Sequence, residues 1–197
     1  MILQGYKAQV KAQSSEVALT DEATTGVGDL VYTITDTSKR ILDYYTAVIV
    51  KVDGSTATTG FVVNRLNGTV TFDTAVVRTV TVSGAYVLLT ETVACNTLTC
   101  NFATAMIDVT AYNADGYSEF VVGIKSGTAD LGRVSYDDDY FLDMLFNDTV
   151  KIIEYYTDRS TEPIRFYGIM TSDTINAAIS GSIPETLTFQ ITEEFIL

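Results

Sequence analysis

The chain has 197 residues, enough for one large domain or two small ones with a substantial core. Hydrophobic residues make up 47% of the sequence, and strand-favouring Val, Ile, Thr, Tyr and Phe are common. The absence of histidine excludes Ser-His and Cys-His nucleophile pairs and imidazole metal ligands. A net charge of −13 also argues against nucleic-acid binding, because affinity for phosphate grows with the number of Lys and Arg contacts.

The negative charge is concentrated in the second half of the chain. Residues 1–95 carry 9 acidic and 7 basic residues, a net charge of −2, whereas residues 96–197 carry 16 and 5, a net charge of −11. The simplest interpretation is that the negative charge keeps the protein soluble. The alternative interpretation is that the acidic half lines a passage for DNA.

Short alternating runs, separated by turn-forming residues, follow one another through the first half. Tyr6–Ala12 is predicted as a strand, and the polar, glycine-containing residues 14–29 are predicted as a loop or extended arm that a neighbouring subunit would order. Further strands are predicted at Leu30–Thr35, Ala47–Val52, Phe61–Arg65, Thr69–Asp73, Val80–Ser83 and Ala85–Thr90.

Two dipeptides in this half are typical of hairpin turns. Asp53-Gly54 and Asn67-Gly68 lie between alternating runs and can adopt the positive φ angles that tight turns require. The segment FVVNRLNGTVTF (Phe61–Phe72) carries the strongest hairpin pattern in the chain. These elements predict a small sandwich-like module over residues 29–91.

The second half continues as strands with one helix. Alternation predicts strands around Leu98–Phe102 and Phe120–Ile124, and over Lys151–Thr157, Ile164–Thr171 and Thr186–Glu193. Cys95 and Cys100 match no zinc-binding spacing and are interpreted as reduced, half-buried residues.

A short helix is predicted from Asp137 to about residue 147. Ser135 can cap its N-terminus, and three consecutive aspartates suit the positive end of the helix dipole. Phe141, Met144 and Leu145 share one face, and Asn147 is a plausible stop.

Motifs for catalysis or for a cofactor are not found. Adjacent aspartates on a helix point about 100° apart, so residues 137–139 do not converge on a metal ion and lack the spacing of a calcium loop. Gly-rich phosphate loops are missing, and no pair of carboxylates lies in a recognisable catalytic frame. We therefore expect no enzymatic activity, no cofactor and no metal. Apolar runs long enough for a signal peptide or a membrane span are also missing, which predicts a soluble protein made in a cytoplasm, with no membrane anchor.

The segment Ile107–Val134 carries a family resemblance. It contains an Asp-Val-Thr step, an Asn-Ala-Asp-Gly turn, an aromatic-led strand (Tyr117–Ile124), a Lys-Ser-Gly turn and a second strand. This order resembles the middle of the tail tube (major tail) proteins of tailed bacteriophages with long tails. The later segments KIIEYYTD, RFYGIMTSDTINAAI and TLTFQITEE also resemble that family, as does the β-rich first half.

The resemblance implies a tail-tube-type β-sandwich or barrel core with one short helix and a β-rich N-terminal module. The expected divisions are an N-terminal strand and arm (1–28), the module (29–95) and the core (96–197), which strands of residues 1–12 would join. Such subunits stack as hexameric rings into a hollow tube of the virion tail, assembled in the host cytoplasm. The implied partners are further copies of the chain and other tail proteins such as the tape measure and the terminator, with double-stranded DNA passing through without adhering.

Three carboxylates are candidates for the channel wall. Glu119, Glu154 and Glu193 each lie in a predicted strand that also carries apolar residues, and like charges would keep DNA mobile. The alternative is that each faces the outer solvent. Other functions also stay open: a ring-forming tail completion or baseplate protein of the same fold, a virion-surface binding module, or, least favoured, an enzyme.

Overall fold

The computed structural model describes residues 9–91, 95–110, 118, 120–134, 140–156, 163–175 and 183–196. Over these residues the chain is mainly β with one short α-helix, which confirms the predicted fold class. In chain order the elements are β1 (Gln9–Val27), β2 (Val31–Ile34), β3 (Ile49–Val52), β4 (Ser55–Thr56), β5 (Phe61–Asn64), β6 (Thr69–Phe72), β7 (Val80–Glu91), β8 (Cys95–Asp108), β9 (Phe120–Val134), α1 (Tyr140–Phe146), β10 (Val150–Tyr156), β11 (Ile164–Ile175) and β12 (Pro184–Ile196).

A large antiparallel sheet runs through both halves of the chain. Its strand order is β4-β3-β7-β1-β10-β11-β12-β9-β8. The C-terminal end of β1 leaves this sheet and pairs with β2, which continues through β6 to β5 as a smaller sheet. A register shift between Leu19 and Glu22, with Asp21 at φ 47°, marks the bend, as expected of a β-bulge.

Three clusters of buried side chains hold these layers together. The first lies between the small sheet and β3, β7 and β1, and is centred on Ile34, Val50 and Val82, so the N-terminal module has its own core. The second lies under α1, where Phe141 and Met144 pack on strands of the large sheet. In the third, Leu66 covers Ile152 and Tyr167 on the opposite face of β10 and β11. Both faces of these central strands are therefore buried.

The predicted hairpins are confirmed. Strands β5 and β6 pair from Phe61↔Phe72 to Asn64↔Thr69. Strands β3 and β4 pair around a two-residue turn in which Asp53 has φ 49° and Gly54 has φ 80°. Such a turn matches the right-handed twist of the strands that it connects.

The loop predicted over residues 14–29 is wrong, because most of this segment belongs to β1. Pairing with β7 runs from Lys11 to Ala23 along one edge of β1, and residues 24–27 pair with β2 within the same protomer. Residues 14–18 are all exposed, so both faces of this part of the strand are solvated, and local composition cannot distinguish such a strand from a loop. The domain boundaries near residues 28 and 95 stay predictions.

The turn predicted at Lys-Ser-Gly is also wrong, since β9 runs unbroken through residues 125–127. The glycine at position 127 allows close packing and does not form a turn. A Cβ there would lie 3.0 Å from Phe102 and 3.1 Å from Ile191. Similarly, the two strands predicted on either side of Gly84 form one strand, β7. The predicted Asn-Ala-Asp-Gly turn lies outside the described residues.

The helix is confirmed over Tyr140–Phe146. Its predicted first residues and Ser135 lie outside the described part of the chain. Phe141 and Met144 are each 1% exposed, as the predicted face requires. At the C-terminus the Asn147 amide donates to the carbonyl of Asp143, and Asp148 has φ 49°, which ends the helix.

The two cysteines lie in the same continuous strand, β8. Five residues of extended strand separate their Cα atoms by roughly 16 Å, too far for a disulfide between them. Cys100 is a free, half-buried thiol, as predicted. Burial, and secondarily the carboxylate of Asp130, raise its pKa, so the thiol is poorly nucleophilic.

Candidate assembly surface

The β8–β9 hairpin extends past the rest of the large sheet. Strand β12 pairs with β9 only between Gly127 and Val134, whereas β8 follows β9 out to Asp108↔Phe120. We call residues 103–108 and 120–126 the projecting ribbon. At about 3.3 Å per residue it reaches roughly 20 Å beyond its last neighbour.

Apolar side chains cover both faces of this ribbon. The exposed fractions are 58% for Met106, 53% for Ile107, 54% for Phe120, 51% for Val121 and 62% for Val122. Consecutive residues of a strand point to opposite faces, so neither face is packed against the protomer. A two-stranded ribbon is marginally stable alone in water, and an exposed apolar one tends to associate.

The ribbon also offers an unpaired edge. Among the described residues β8 pairs only with β9, so its outer backbone N–H and C=O groups form the edge of the large sheet. Such an edge is a template for a strand from another chain. At the base of the ribbon is a cavity of about 460 Å³, lined by Phe102, Ala103, Thr104, Lys125, Ser126, Gly127 and Ile191.

Of the three candidate wall charges, the structure describes the side chain of Glu154. Glu119 lies outside the described residues. Glu193 falls within β12, but its side chain is not described. The Glu154 side chain is 3% exposed and forms a salt bridge with Arg165, and its second oxygen accepts from the Tyr156 hydroxyl at 2.9 Å. Glu154 is thus a buried, paired carboxylate in the protomer and not a free surface charge, because its strand is covered on both faces.

The projecting ribbon was not predicted as a functional feature, although the sequence carries a signal for it. Phe120-Val121-Val122 are three consecutive apolar residues, and Met106-Ile107 are two. A strand with one solvated face alternates, so consecutive apolar residues indicate that both faces become covered. Only the structure shows that the described part of the protomer leaves them exposed.

Comparison with known proteins finds no family model and no curated protein that matches this chain. Among solved structures, two are similar to part of this chain. One is the tail of an empty gene transfer agent particle computed with helical refinement and C6 symmetry, at 15% identity and a TM-score of 0.47, covering 55% of this chain and 84% of the other. The second is the virion of a native gene transfer agent particle, at 15% identity and a TM-score of 0.46, covering 54% and 86%. A likeness at this level carries no information on function.

Two further properties of the described residues bear on function. No helix among them combines the length and apolar character needed to cross a membrane. Their Asp, Glu and Cys side chains form no cluster of three or more that could hold a metal ion.

Proposed function

We propose that this chain is a non-catalytic structural subunit of a phage-like virion tail. The projecting ribbon carries the proposal, since an apolar ribbon with a free strand edge requires a partner, and a second copy of the chain is the simplest one. The resemblance of Ile107–Val134 to tail tube proteins supports the same conclusion, because residues 107–108 and 120–126 of the ribbon lie within that segment. Hexameric rings stacked into a tube are the assembly that this resemblance implies.

The acidic second half suits the wall of a channel for DNA. Its net charge of −11 repels phosphates, so DNA would slide through without being trapped. Glu119 and Glu193 remain the proposed wall charges. Glu154 is no longer proposed, because it is buried and paired with Arg165.

The decisive experiment compares assembly of the wild type with two double variants. Met106→Ser with Val122→Thr changes a cross-strand pair of the ribbon, and Val62→Thr with Val77→Thr changes two valines of the N-terminal module that are 68% and 76% exposed. Burying one such apolar side chain contributes about 1.5–3 kcal/mol, so the ribbon variant should raise the concentration needed for assembly at least about tenfold.

Light scattering measures that concentration, and negative-stain electron microscopy shows its products. We expect tubes from the wild type and from the module variant. Single rings from the wild type would instead indicate a tail completion or baseplate protein. A wild-type protein that stays monomeric at all attainable concentrations, or equal thresholds for the two variants, would contradict the proposal.

A further inference from the structure

A polar pocket of about 520 Å³ opens between the N-terminal module and β11. Its lining contains two of the few basic residues of this acidic chain together with hydroxyl and amide groups: Thr33, Thr37, Arg40, Ile41, Asn67, Thr69 and Arg165.

Arg40 is held in place from two sides. Its Nε donates to the carbonyl of Ile34 at 2.7 Å. Its backbone is packed against Gly68, where a Cβ would lie 2.7 Å from the Arg40 carbonyl oxygen and where φ is +65°. Within the described part of the chain, the Arg40 guanidinium donates a hydrogen bond through Nε. Its two Nη groups are left for a ligand in the pocket.

The positive charge of Arg40 is not cancelled by nearby carboxylates. Glu154 accepts from Nε of Arg165 at 2.9 Å and is occupied by that ion pair. Asp36 accepts from the backbone amide of Ser38 at 3.0 Å, and Lys39 lies 2.8 Å from Glu22 and 3.5 Å from Asp36. Among the described residues that line the pocket, Arg40 therefore carries a positive charge that no ion pair offsets.

Hydrogen-bond donors dominate the rest of the lining. The side-chain oxygen of Asn67 accepts from the amide and hydroxyl of Thr69, at 3.2 and 2.7 Å, so Asn67 presents its NH₂ group. The hydroxyls of Thr33 and Thr37 can donate as well. A guanidinium surrounded by neutral donors is suited to an oxyanion, and a carboxylate matches the planar fork of arginine.

We propose that this pocket binds the carboxylate of an aspartate or glutamate from a second copy of the chain. The chain has 25 acidic and 12 basic residues, so a neighbouring copy presents far more carboxylates than cations to Arg40. The choice of a second copy as the source rests on the proposed function, whereas the carboxylate specificity of the pocket does not.

The specificity is tested on dilute, unassembled protein with succinate as the probe, at constant ionic strength. We expect succinate to shift the NMR amide signals of Thr33, Thr37 and Asn67 in the wild type, to shift them more weakly in Arg40→Lys, which lacks the planar fork, and not to shift them in Arg40→Gln. Both variants lose the Nε bond to Ile34, and only the glutamine variant loses the charge. The proposed carboxylate site is contradicted if succinate does not shift these signals in the wild type, or if it shifts them equally in Arg40→Gln.

The source of the carboxylate is tested by assembly at constant ionic strength. Arg40→Gln should raise the assembly concentration several-fold, Arg40→Lys should raise it less, and Arg78→Gln should stay near the wild type. Arg78 provides the control because its side chain is 64% exposed and pairs with Asp53 outside the pocket. Unchanged assembly of Arg40→Gln would overturn a second copy as the source. A wild type that responds to succinate but never assembles would count against the proposed function and not against the site.

Discussion

At the residue scale, the buried charges impose the strongest constraints on this chain. Arg133 and Glu185 form a salt bridge at 2.9 Å with side chains 3% and 2% exposed, and the Arg133 guanidinium lies 4.7 Å from the centre of the Phe141 ring. The pair joins β9 to β12 under the helix. Removing one partner of such a pair leaves an uncompensated buried charge, so these two residues should tolerate little substitution.

Asp173 adds a second carboxylate near this pair and makes stability depend on pH. Burial and the neighbouring Glu185 raise the pKa of Asp173 above 3.8, outweighing the opposite effect of Arg133. The folded state therefore holds this proton more tightly than the unfolded state. That contribution to stability is complete below pH 3.8 and is lost as pH rises through the higher pKa of the folded protein.

We accordingly expect Asp173→Asn to be more stable than the wild type at pH 7, with the difference shrinking toward pH 3. Urea unfolding between pH 3 and pH 7 measures the difference in the free energy of unfolding. The control is Asp73→Asn, because Asp73 is an exposed residue of the N-terminal module. A variant that is less stable than the wild type at neutral pH would show that the charged form of Asp173 is needed for the fold.

At the element scale, the helix shows how a short segment is stabilised by packing. Seven residues are too few for an isolated helix to be stable in water. The Phe141 ring packs 6.2 Å from that of Phe189, and the Tyr140 hydroxyl donates to the Gln13 carbonyl at 2.6 Å. These contacts fix the helix on strands from both ends of the chain.

Phe141→Ala should therefore lower the free energy of unfolding by about 3–5 kcal/mol, because it leaves a cavity in the core. Phe146→Ala is the matched control, since that ring is 78% exposed and its loss should cost less than about 0.5 kcal/mol. Urea denaturation gives both values. Similar losses from the two variants would mean that the Phe141 face does not anchor the helix.

At the scale of the whole molecule, self-assembly must overcome electrostatic repulsion between copies that each carry a net charge of −13. The apolar ribbon provides a favourable term that salt does not screen. Repulsion between exposed charges is screened, and the Debye length falls from about 30 Å at 0.01 M to about 10 Å at 0.1 M ionic strength.

Raising NaCl from about 0.01 M to about 0.1 M should therefore lower the concentration at which assembly begins. Light scattering at a series of salt concentrations tests this, with sucrose of equal osmolality as the control for solvent effects. A threshold that rises with salt would mean that ion pairs between copies, such as the one proposed at Arg40, outweigh the general repulsion.

The features that the sequence determined by itself are those that depend on near neighbours. Asp53-Gly54 specifies a turn because only a few residue types accept positive φ there, and the flanking alternation sets the register of β3 and β4. Phe141 and Met144 mark a helical face within one turn, and Asn147 marks its end. Local sequence therefore predicted the mainly β class, the hairpins and the helix.

The tertiary structure decided the features that depend on distant partners. Residues 15–23 are a strand because β7, far later in the chain, pairs with them, and residues 24–27 pair with β2. Glu154 is buried because Arg165 on the next strand compensates its charge, although alternation alone placed it among channel charges. The apolar ribbon stands exposed because β12 stops pairing with β9 at Gly127. Pairing and burial are set by which strands become neighbours, and no local pattern encodes that choice.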